Sequence, residues 1–404
     1  MGGLPDYVGP CAFGIKLGVI TPKCDLIGMV YEAMRQCDSD HFLDDGDVLC
    51  LTESIVARAQ NNFISTEDIA AELRERYNVK ADSRLGVLYP ITSRNRFALI
   101  LKGLASAVPK GEVVVQFSFP SDEVGNMIVS EEFAESWESE TRGGTGAADA
   151  GALFYYEDIK DKCRHPITNI DYPGYYQEII EAEGAKAKIC FSNNPETMAA
   201  IRPDLLIIAS IHDRLKKKKL FRGREFPSIT LQELCSDPSK PSWSEWGLLG
   251  SNMSAQNLLK LAPREGDAFA LDVQRVIKEK LAKDVEVIIY GDGAYKDPTS
   301  GIYELADPQA SLGSTAAFKS GRLRQGVKYK MLADVAFSQG KSPAEIEEML
   351  AAYKKNVYEE HEIASEGTTP RKMEDIIASL ADLVSGSADA GAPLVLVKGL
   401  LIAR

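Results

Sequence analysis

The segment Val285–Pro298, with the sequence VEVIIYGDGAYKDP, constrains the fold more than any other part of the chain. Its first six residues are mostly apolar and β-branched, which favours a short strand buried on both faces. Glycines on both sides of Asp292 let the backbone turn sharply and approach a ligand closely. A carboxylate at a strand end can hold a hard cation such as magnesium, and the cation can hold phosphates. The segment predicts a buried strand ending in a cation-binding loop, with an ordinary Asp-Gly turn as the alternative.

Strand-like and helix-like segments alternate along the rest of the chain, which indicates a mixed α/β fold. Helix starts are predicted where capping residues precede an apolar stripe, at Thr52 or Ser54, at Ser65 and at Ser342. A further helix is predicted over Phe97–Val108. A turn and a strand are predicted over Gly46–Leu51, and further strands over Leu85–Tyr89, Val113–Phe119, Ala187–Phe191, Leu205–Ala209 and Leu394–Val397.

Composition excludes several classes of protein. With 46 basic and 59 acidic residues the formal net charge is −13, which argues against a nucleic-acid-coating or membrane-surface protein. No apolar run approaches the roughly 20 residues that span a bilayer, and the N-terminus has no secretory pattern, so a cytoplasmic location is expected. The seven cysteines contain no C-x-x-C pair and the four histidines are widely spaced. Any metal must therefore be held mostly by oxygen ligands.

The two common nucleotide-binding motifs are absent from the sequence. There is no G-x-x-x-x-G-K-[ST] loop, and no strand-linked G-x-G-x-x-G opens a helix. If a nucleotide binds, helix N-termini, cations held by carboxylates and loops of small residues must hold it.

Several separated segments together resemble one family, the coenzyme F-420 gamma-glutamyl ligases, which attach L-glutamate to a deazaflavin coenzyme precursor. The resemblance covers Gly14–Gln60, a short piece at Ser121–Asn126, the loop at Asp292 and the tail Met373–Leu400. The stretches HPITNIDYPGYY, YGDGAYKDP and YELADP are similar to the longer bacterial members of the family.

The resemblance implies a GTP- or ATP-dependent ligase that needs Mg²⁺ or Mn²⁺ and works as a homodimer, with K⁺ as a further candidate ion. Its expected partners are a nucleotide, L-glutamate and a carboxylate-bearing acceptor, with neither nucleic acid nor a membrane. The implied mechanism phosphorylates the acceptor carboxylate to an acyl phosphate, which the glutamate amine attacks. In such a reaction the metal neutralises phosphate charge and positions the reactants.

Site residues are carried over by position, and none is assigned as catalytic. Two departures from the family pattern are Arg58, where the family has a lysine, and a tail loop in which Asp389 replaces a glutamate. The expected metal ligands are Asp122, Asp292 and Asp389. The expected nucleotide-binding residues are Leu17, Gly18, Val19, Ile20, Glu53, Ser54, Arg58, Asn126, Gly293, Gly386 and Ser387.

Three further residues are candidates for substrate binding from their own chemistry. Arg94 and Arg96 follow a predicted strand and could bind a carboxylate bidentately. His165 could contact substrate, although a structural histidine that caps a turn is the favoured interpretation. Asp307, soon after the Asp292 loop, could supply a cation ligand, although surface solvation is the favoured interpretation.

The segments shared with short family members flank a long central region. Residues 1–150 and 284–404 are therefore expected to form a gamma-glutamyl ligase-like catalytic unit, with 151–283 as an inserted α/β module. Two alternatives stay open: a folate or other gamma-glutamyl ligase, and a non-catalytic nucleotide- and metal-binding regulatory homologue.

Overall fold

The computed structural model describes residues 5, 7–142, 153–166, 168–291, 307–319, 323–324, 329–353, 371–385 and 391–401. Its strands, in chain order, are β1 Cys11–Ile15, β2 Val48–Thr52, β3 Phe63–Ser65, β4 Arg84–Leu88, β5 Glu112–Phe117, β6 Phe154–Tyr155, β7 Lys186–Phe191, β8 Leu205–Ile208, β9 Ser228–Thr230, β10 Asn252–Ala255, β11 Leu258–Lys260, β12 Glu286–Tyr290, β13 Ser311–Ser314, β14 Leu323–Arg324, β15 Arg371–Lys372 and β16 Leu394–Lys398.

The α-helices are α1 Leu26–Ser39, α2 Glu53–Ala59, α3 Thr66–Arg76, α4 Phe97–Ala107, α5 Glu131–Arg142, α6 Tyr156–Ile159, α7 Tyr172–Ala182, α8 Glu196–Ile201, α9 Arg214–Leu220, α10 Gly266–Leu281, α11 Tyr329–Ser338, α12 Pro343–Tyr353 and α13 Met373–Ser385. Short 3₁₀ helices occupy Lys160–Lys162, Leu231–Glu233, Gly247–Gly250 and Ala316–Phe318. The predicted α/β class is confirmed.

The first main sheet joins the two ends of the chain. Its order is β1-β16-β2-β12-β13, and β2 and β12 run parallel while the other neighbours are antiparallel. The central strands β2, β12 and β16 are nearly continuous apolar runs buried on both faces, as expected of strands covered by helices on each side. Helices α1, α2 and α10 contribute to the core on one face, and α13 packs on the other.

The second main sheet is mostly parallel. Its order is β6-β7-β5-β4-β8-β9, in which only the edge strand β6 runs antiparallel to its neighbour. The larger core lies on the face covered by α3, α4 and α7, and a smaller one lies beneath α8 and the following segment around Phe221.

A small sheet with the order β10-β11-β3 carries the chain between the two main sheets. Strand β3 leads directly into α3, which starts where predicted, and Ser65 and Asp68 form a capping box there. The neighbouring strand β11 pairs with β3 in antiparallel register, Leu259 opposite Ile64.

Strand pairing crosses the domain boundary that the sequence predicts at residue 150. Strands β4 and β5, before that boundary, pair in parallel with β8 and β7, after it. Residues 143–152, which contain the boundary itself, lie outside the described residues. The pairing favours 84–230 as one sheet-forming unit, and the division into catalytic unit and insertion stays a prediction.

Candidate functional site

The carboxyl ends of β2 and β12 lie side by side, because these strands are parallel and Thr52 is in register with Tyr290. The next residues are Glu53, which begins α2, and Gly291. The expected site residues Asp292 and Gly293 of the acidic loop, and Gly386, Ser387 and Asp389 of the tail, lie outside the described residues. Glu53 is therefore a described acid at the strand ends that lead into that loop.

Glu53 is buried and bound to a lysine that sequence reasoning missed. Its Oε1 accepts a hydrogen bond from Lys260 Nζ at 2.5 Å, and both side chains are almost fully enclosed. Its other oxygen, Oε2, is buried without a hydrogen-bond partner in the described part of the chain. Burial raises the pKa of Glu53 and the charge of Asp307 adds to the rise, while Lys260 and Arg96 oppose it.

Arg96 and Asp307 form a second buried ion pair beside the first. Arg96 Nη1 lies 2.7 Å from Asp307 Oδ1, and Asp307 is 1% exposed. The Asp307 carboxylate also packs so closely on Gly291 that a Cβ there would collide with it. The favoured interpretation of Asp307 as a surface residue is therefore wrong, because the arginine and the missing Cβ create its buried position.

These four residues, Glu53, Lys260, Arg96 and Asp307, form an ionic cluster with a formal charge of zero. Arg96 comes from the loop after β4, whereas Glu53 follows β2. The cluster therefore connects the carboxyl ends of parallel strands from both main sheets, and open parallel sheets bind ligands at that edge.

Asp122, an expected metal ligand, accepts hydrogen bonds from its own loop and from the loop after β4. Its Oδ2 accepts hydrogen bonds from Thr92 N, Thr92 Oγ1 and Asn126 Nδ2 at 2.8, 2.8 and 3.0 Å. Its Oδ1 accepts from Val124 N at 3.1 Å and Asn126 N at 2.9 Å. A carboxylate offers about four lone-pair sites, so these bonds favour a positioning role over direct cation contact. Cation binding by Asp122 stays a prediction.

His165 and Arg94 lie near Asp122, as a second group at the same edge. The His165 side chain is buried, and its Nδ1 accepts a hydrogen bond from Thr168 N at 3.2 Å. Burial lowers the pKa of His165, although the charge of Asp122 opposes this. Arg94 is exposed and interacts with Tyr172, whose pKa is raised by burial and lowered in part by Arg94. Of these side chains, Arg94 is the most exposed to solvent.

The expected nucleotide-contacting segment before α1 is split between core and solvent. Leu17 and Ile20 pack into the core, whereas Gly18 and Val19 are exposed, Val19 by 83%. Leu17 also lines a groove of about 630 Å³ between α1 and α10. Ser54 and Arg58 are exposed on α2.

In the part of the chain that the structure describes, no three histidine, cysteine or acidic side chains come together as a metal site. A hard cation at the ionic cluster would therefore need Asp292 or other residues outside those ranges. Buried carboxylate oxygens are suitable donors for Mg²⁺ or Mn²⁺, and Glu53 Oε2 has no hydrogen-bond partner among the described residues.

One family model covers nearly the whole chain, including the four residues of the ionic cluster. A family model described as F420-0:Gamma-glutamyl ligase matches residues 14–399. The chain belongs to this family. The predicted resemblance is confirmed, and the match covers both the ionic cluster and the central region expected to be an insertion. The family is one of gamma-glutamyl ligases that act on F420-0.

No curated protein matches the chain. None of the helices in the described ranges is long and apolar enough to cross a membrane.

Proposed function

We propose that the protein is a nucleotide- and cation-dependent ligase that joins L-glutamate to a carboxylate-bearing acceptor related to F420-0. The family match over residues 14–399 carries this proposal. The ionic cluster supports it, because amide formation from two carboxylate-bearing substrates needs positive groups and cation-binding oxygens in one enclosed place. The acyl-phosphate route, the use of GTP or ATP and the homodimer belong to the same proposal.

Each part of the site has a proposed role. Arg94 is exposed at the carboxyl edge and would bind an acceptor carboxylate. Glu53 Oε2 and Asp292 would hold Mg²⁺ or Mn²⁺, which supplies charge neutralisation at phosphate when bound. Lys260 orients Glu53 through its 2.5 Å hydrogen bond. Asp122 positions the loop that carries Arg94 and Arg96.

The test is ligation by the full chain. The protein is incubated with L-glutamate, GTP or ATP, Mg²⁺ or Mn²⁺, with and without K⁺, and a panel of acceptors that includes F420-0 and folate. Mass spectrometry then detects the addition of one glutamyl residue, and phosphate release reports nucleotide hydrolysis. We expect glutamate-dependent hydrolysis together with a glutamylated acceptor.

A matched pair of variants connects activity to the site. Glu53→Gln should lose ligation, because it removes the charge that faces the cation and Lys260. Glu279→Gln, an exposed acid near the end of α10, should retain it. Nucleotide and metal binding without product on any acceptor would instead identify a regulatory homologue, and the absence of both would refute the proposal.

A further inference from the structure

The loop after β5 carries two consecutive carboxylates, and each binds a different neighbouring loop. Strand β5 ends at Phe117, and Asp122 and Glu123 lie in the loop that follows. Asp122 accepts hydrogen bonds from Thr92, in the loop after β4, at 2.8 Å. Glu123 accepts hydrogen bonds from the loop after β8. Because β4 lies between β5 and β8, the two carboxylates connect the loops of three adjacent strands at one edge of the sheet.

The Glu123 carboxylate is bound by successive backbone donors. Its Oε2 accepts a hydrogen bond from Ile211 N at 2.5 Å, and its Oε1 accepts from His212 N at 2.8 Å and Asp213 N at 3.0 Å. These N–H groups form a nest, a concave run of backbone donors that binds anions. Hydrogen bonds to a charged acceptor are about twice as strong as those between neutral groups. The anion in this nest is the protein's own carboxylate.

The loop that forms the nest is itself held in place by Arg214. The Arg214 side chain is buried, and its Nη1 donates to Ile211 O. Its Nε and Nη2 donate to Gln232 Oε1 at 3.0 and 2.8 Å. Burial lowers the pKa of Arg214, and the charge of Glu123 opposes this. Glu123 is therefore bound to a supported loop, near a buried positive charge.

The loop after β4 presents Arg94, and two side chains hold the residues just before it. Thr92 N and Oγ1 donate to Asp122 Oδ2, and Ser93 N donates to the Tyr176 hydroxyl at 2.9 Å. Arg94 follows directly and is exposed. The position of Arg94 therefore depends on Asp122 and Tyr176 together, and loss of the Asp122 contact should loosen the loop without unfolding it.

We propose that Glu123 is a positioning residue for the acceptor. Through its chain neighbour Asp122 it fixes the loop that presents Arg94 relative to the loop after β8. The role for the acceptor rests on the proposed function, in which Arg94 binds an acceptor carboxylate, whereas the connection between the loops does not.

The first test measures amide hydrogen exchange of the ligand-free full chain, resolved to single residues. Glu123→Ala should speed exchange at the nest donors, which lose their acceptor, and also at Thr92, whose N–H is bound to Asp122. At Thr92 we expect a rise of about tenfold, the change expected when one hydrogen bond to a charged acceptor is lost. Fast exchange at the nest with unchanged exchange at Thr92 would refute the proposal, because Glu123 would then hold the loop after β8 alone.

Acetate separates a filled nest from a connected one, because the atoms that Glu123→Ala removes beyond Cβ are those of acetate. At constant ionic strength, acetate should raise the Tm of this variant and slow exchange at its nest donors, with neither effect in the wild type. Acetamide, which has the same shape without the charge, should act more weakly. Exchange at Thr92 should stay fast, since free acetate is not joined to the loop after β5. Recovery at Thr92 as well would overturn the proposal, because filling the nest would then suffice.

Two further variants complete the series. Glu72→Ala is the matched control, because Glu72 Oε2 also accepts a backbone hydrogen bond from a distant segment, from Cys235 N at 2.8 Å. It should lower the Tm and leave exchange at Thr92 unchanged. Glu123→Gln keeps an oxygen for two of the nest donors, His212 and Asp213, and serves where the alanine variant does not fold. Its exchange rate at Thr92 should exceed that of the wild type, and an unchanged rate would again refute the proposal.

Ligation kinetics test the role for the acceptor. Arg94 would contact the acceptor carboxylate alike in the ground state and the transition state, so Glu123→Ala should raise the KM for the acceptor about tenfold and leave kcat unchanged. The KM for the acceptor in Glu72→Ala should equal that of the wild type. A fall in kcat with an unchanged KM would overturn the acceptor role. A wild type that ligates no acceptor would remove the proposed function and the acceptor role with it, while exchange at Thr92 still decides whether Glu123 positions the loop.

Discussion

Asp122→Asn tests whether the Asp122 carboxylate is a structural clamp, which holds two loops together through its hydrogen bonds to Thr92, Val124 and Asn126, or a cation ligand. The amide nitrogen of the new side chain must replace one of the two oxygens, and each oxygen faces donors. At the Oδ1 position it would leave two backbone N–H groups, of Val124 and Asn126, without an acceptor. At the Oδ2 position only Thr92 N–H is lost, because the Thr92 hydroxyl and the Asn126 amide can rotate. The variant should adopt this second arrangement.

The magnitude follows from that arrangement. One orphaned buried N–H costs about 1–3 kcal/mol, and a hydrogen bond to a neutral acceptor is worth about 1 kcal/mol less than one to a charged acceptor. We expect the free energy of unfolding to fall by about 2–4 kcal/mol. If Asp122 were instead a cation ligand without hydrogen-bond partners, Asp122→Asn should raise the free energy of unfolding of metal-free protein, because it would remove an uncompensated buried charge.

The assay is urea unfolding of chelator-treated protein, followed by circular dichroism and fluorescence. Asp272→Asn is the control, because Asp272 is an exposed partner of Arg275 and its loss should change stability by less than about 0.5 kcal/mol. An Asp122→Asn protein that is as stable as the control would refute the clamp.

Three further predictions concern other buried charges. Burial lowers the pKa of His165, so its neutral form stabilises the fold above about pH 6.5 and that contribution is lost as the pH falls through the folded-state pKa; His165→Gln should flatten the stability curve below about pH 6.5 in urea titrations, and an unchanged slope would contradict this. Lys398→Met should lower the free energy of unfolding by about 3–5 kcal/mol, because it leaves Asp47, which lies 2.5 Å from the ammonium, as an unpaired buried charge. The double variant with Asp47→Asn should recover part of that free energy. A double variant no more stable than Lys398→Met alone would contradict the ion-pair explanation. Lys260→Met should lower the ligation rate at least about tenfold, which corresponds to about 1.4 kcal/mol in the transition state. The control Lys278→Met alters an exposed ion pair and should leave that rate unchanged. Equal ligation rates in the two variants would exclude Lys260 from the reaction.

Local patterns predicted much of the secondary structure, because they depend on neighbours in sequence. The helix predicted over Phe97–Val108 is found over Phe97–Ala107, and the strand predicted over Val113–Phe119 over Glu112–Phe117. Ser342 and Glu345 form the predicted capping contacts before α12. Pairing between distant strands was not predictable in this way, which is why the expected boundary at residue 150 crosses a sheet.

The candidate site was harder to predict, since burial of a charge depends on a distant partner. Glu53 and Arg96 were expected to bind ligands, but neither Lys260 nor the burial of Asp307 was expected. A lysine within the apolar stretch from Leu258 to Ala262 was an available signal, because a buried lysine needs a partner. Its partner, Glu53, lies 207 positions earlier in the chain, and no sequence pattern connects the two residues.

The place of β16 in its sheet bears on the order in which the chain can fold. Residues 84–230 supply every strand of the six-stranded sheet, so on a ribosome that sheet can close while the following segments are still being made. Strand β16, at residues 394–398, sits between β1 and β2, so these two early strands are joined in the described sheet through β16 and stay unconnected until it is made. Closing a loop of more than 300 residues is slow, and in the interval the backbone N–H and C=O groups of β1 and β2 that pair with β16 have no strand beside them. These edges are where pairing with another chain is expected during folding.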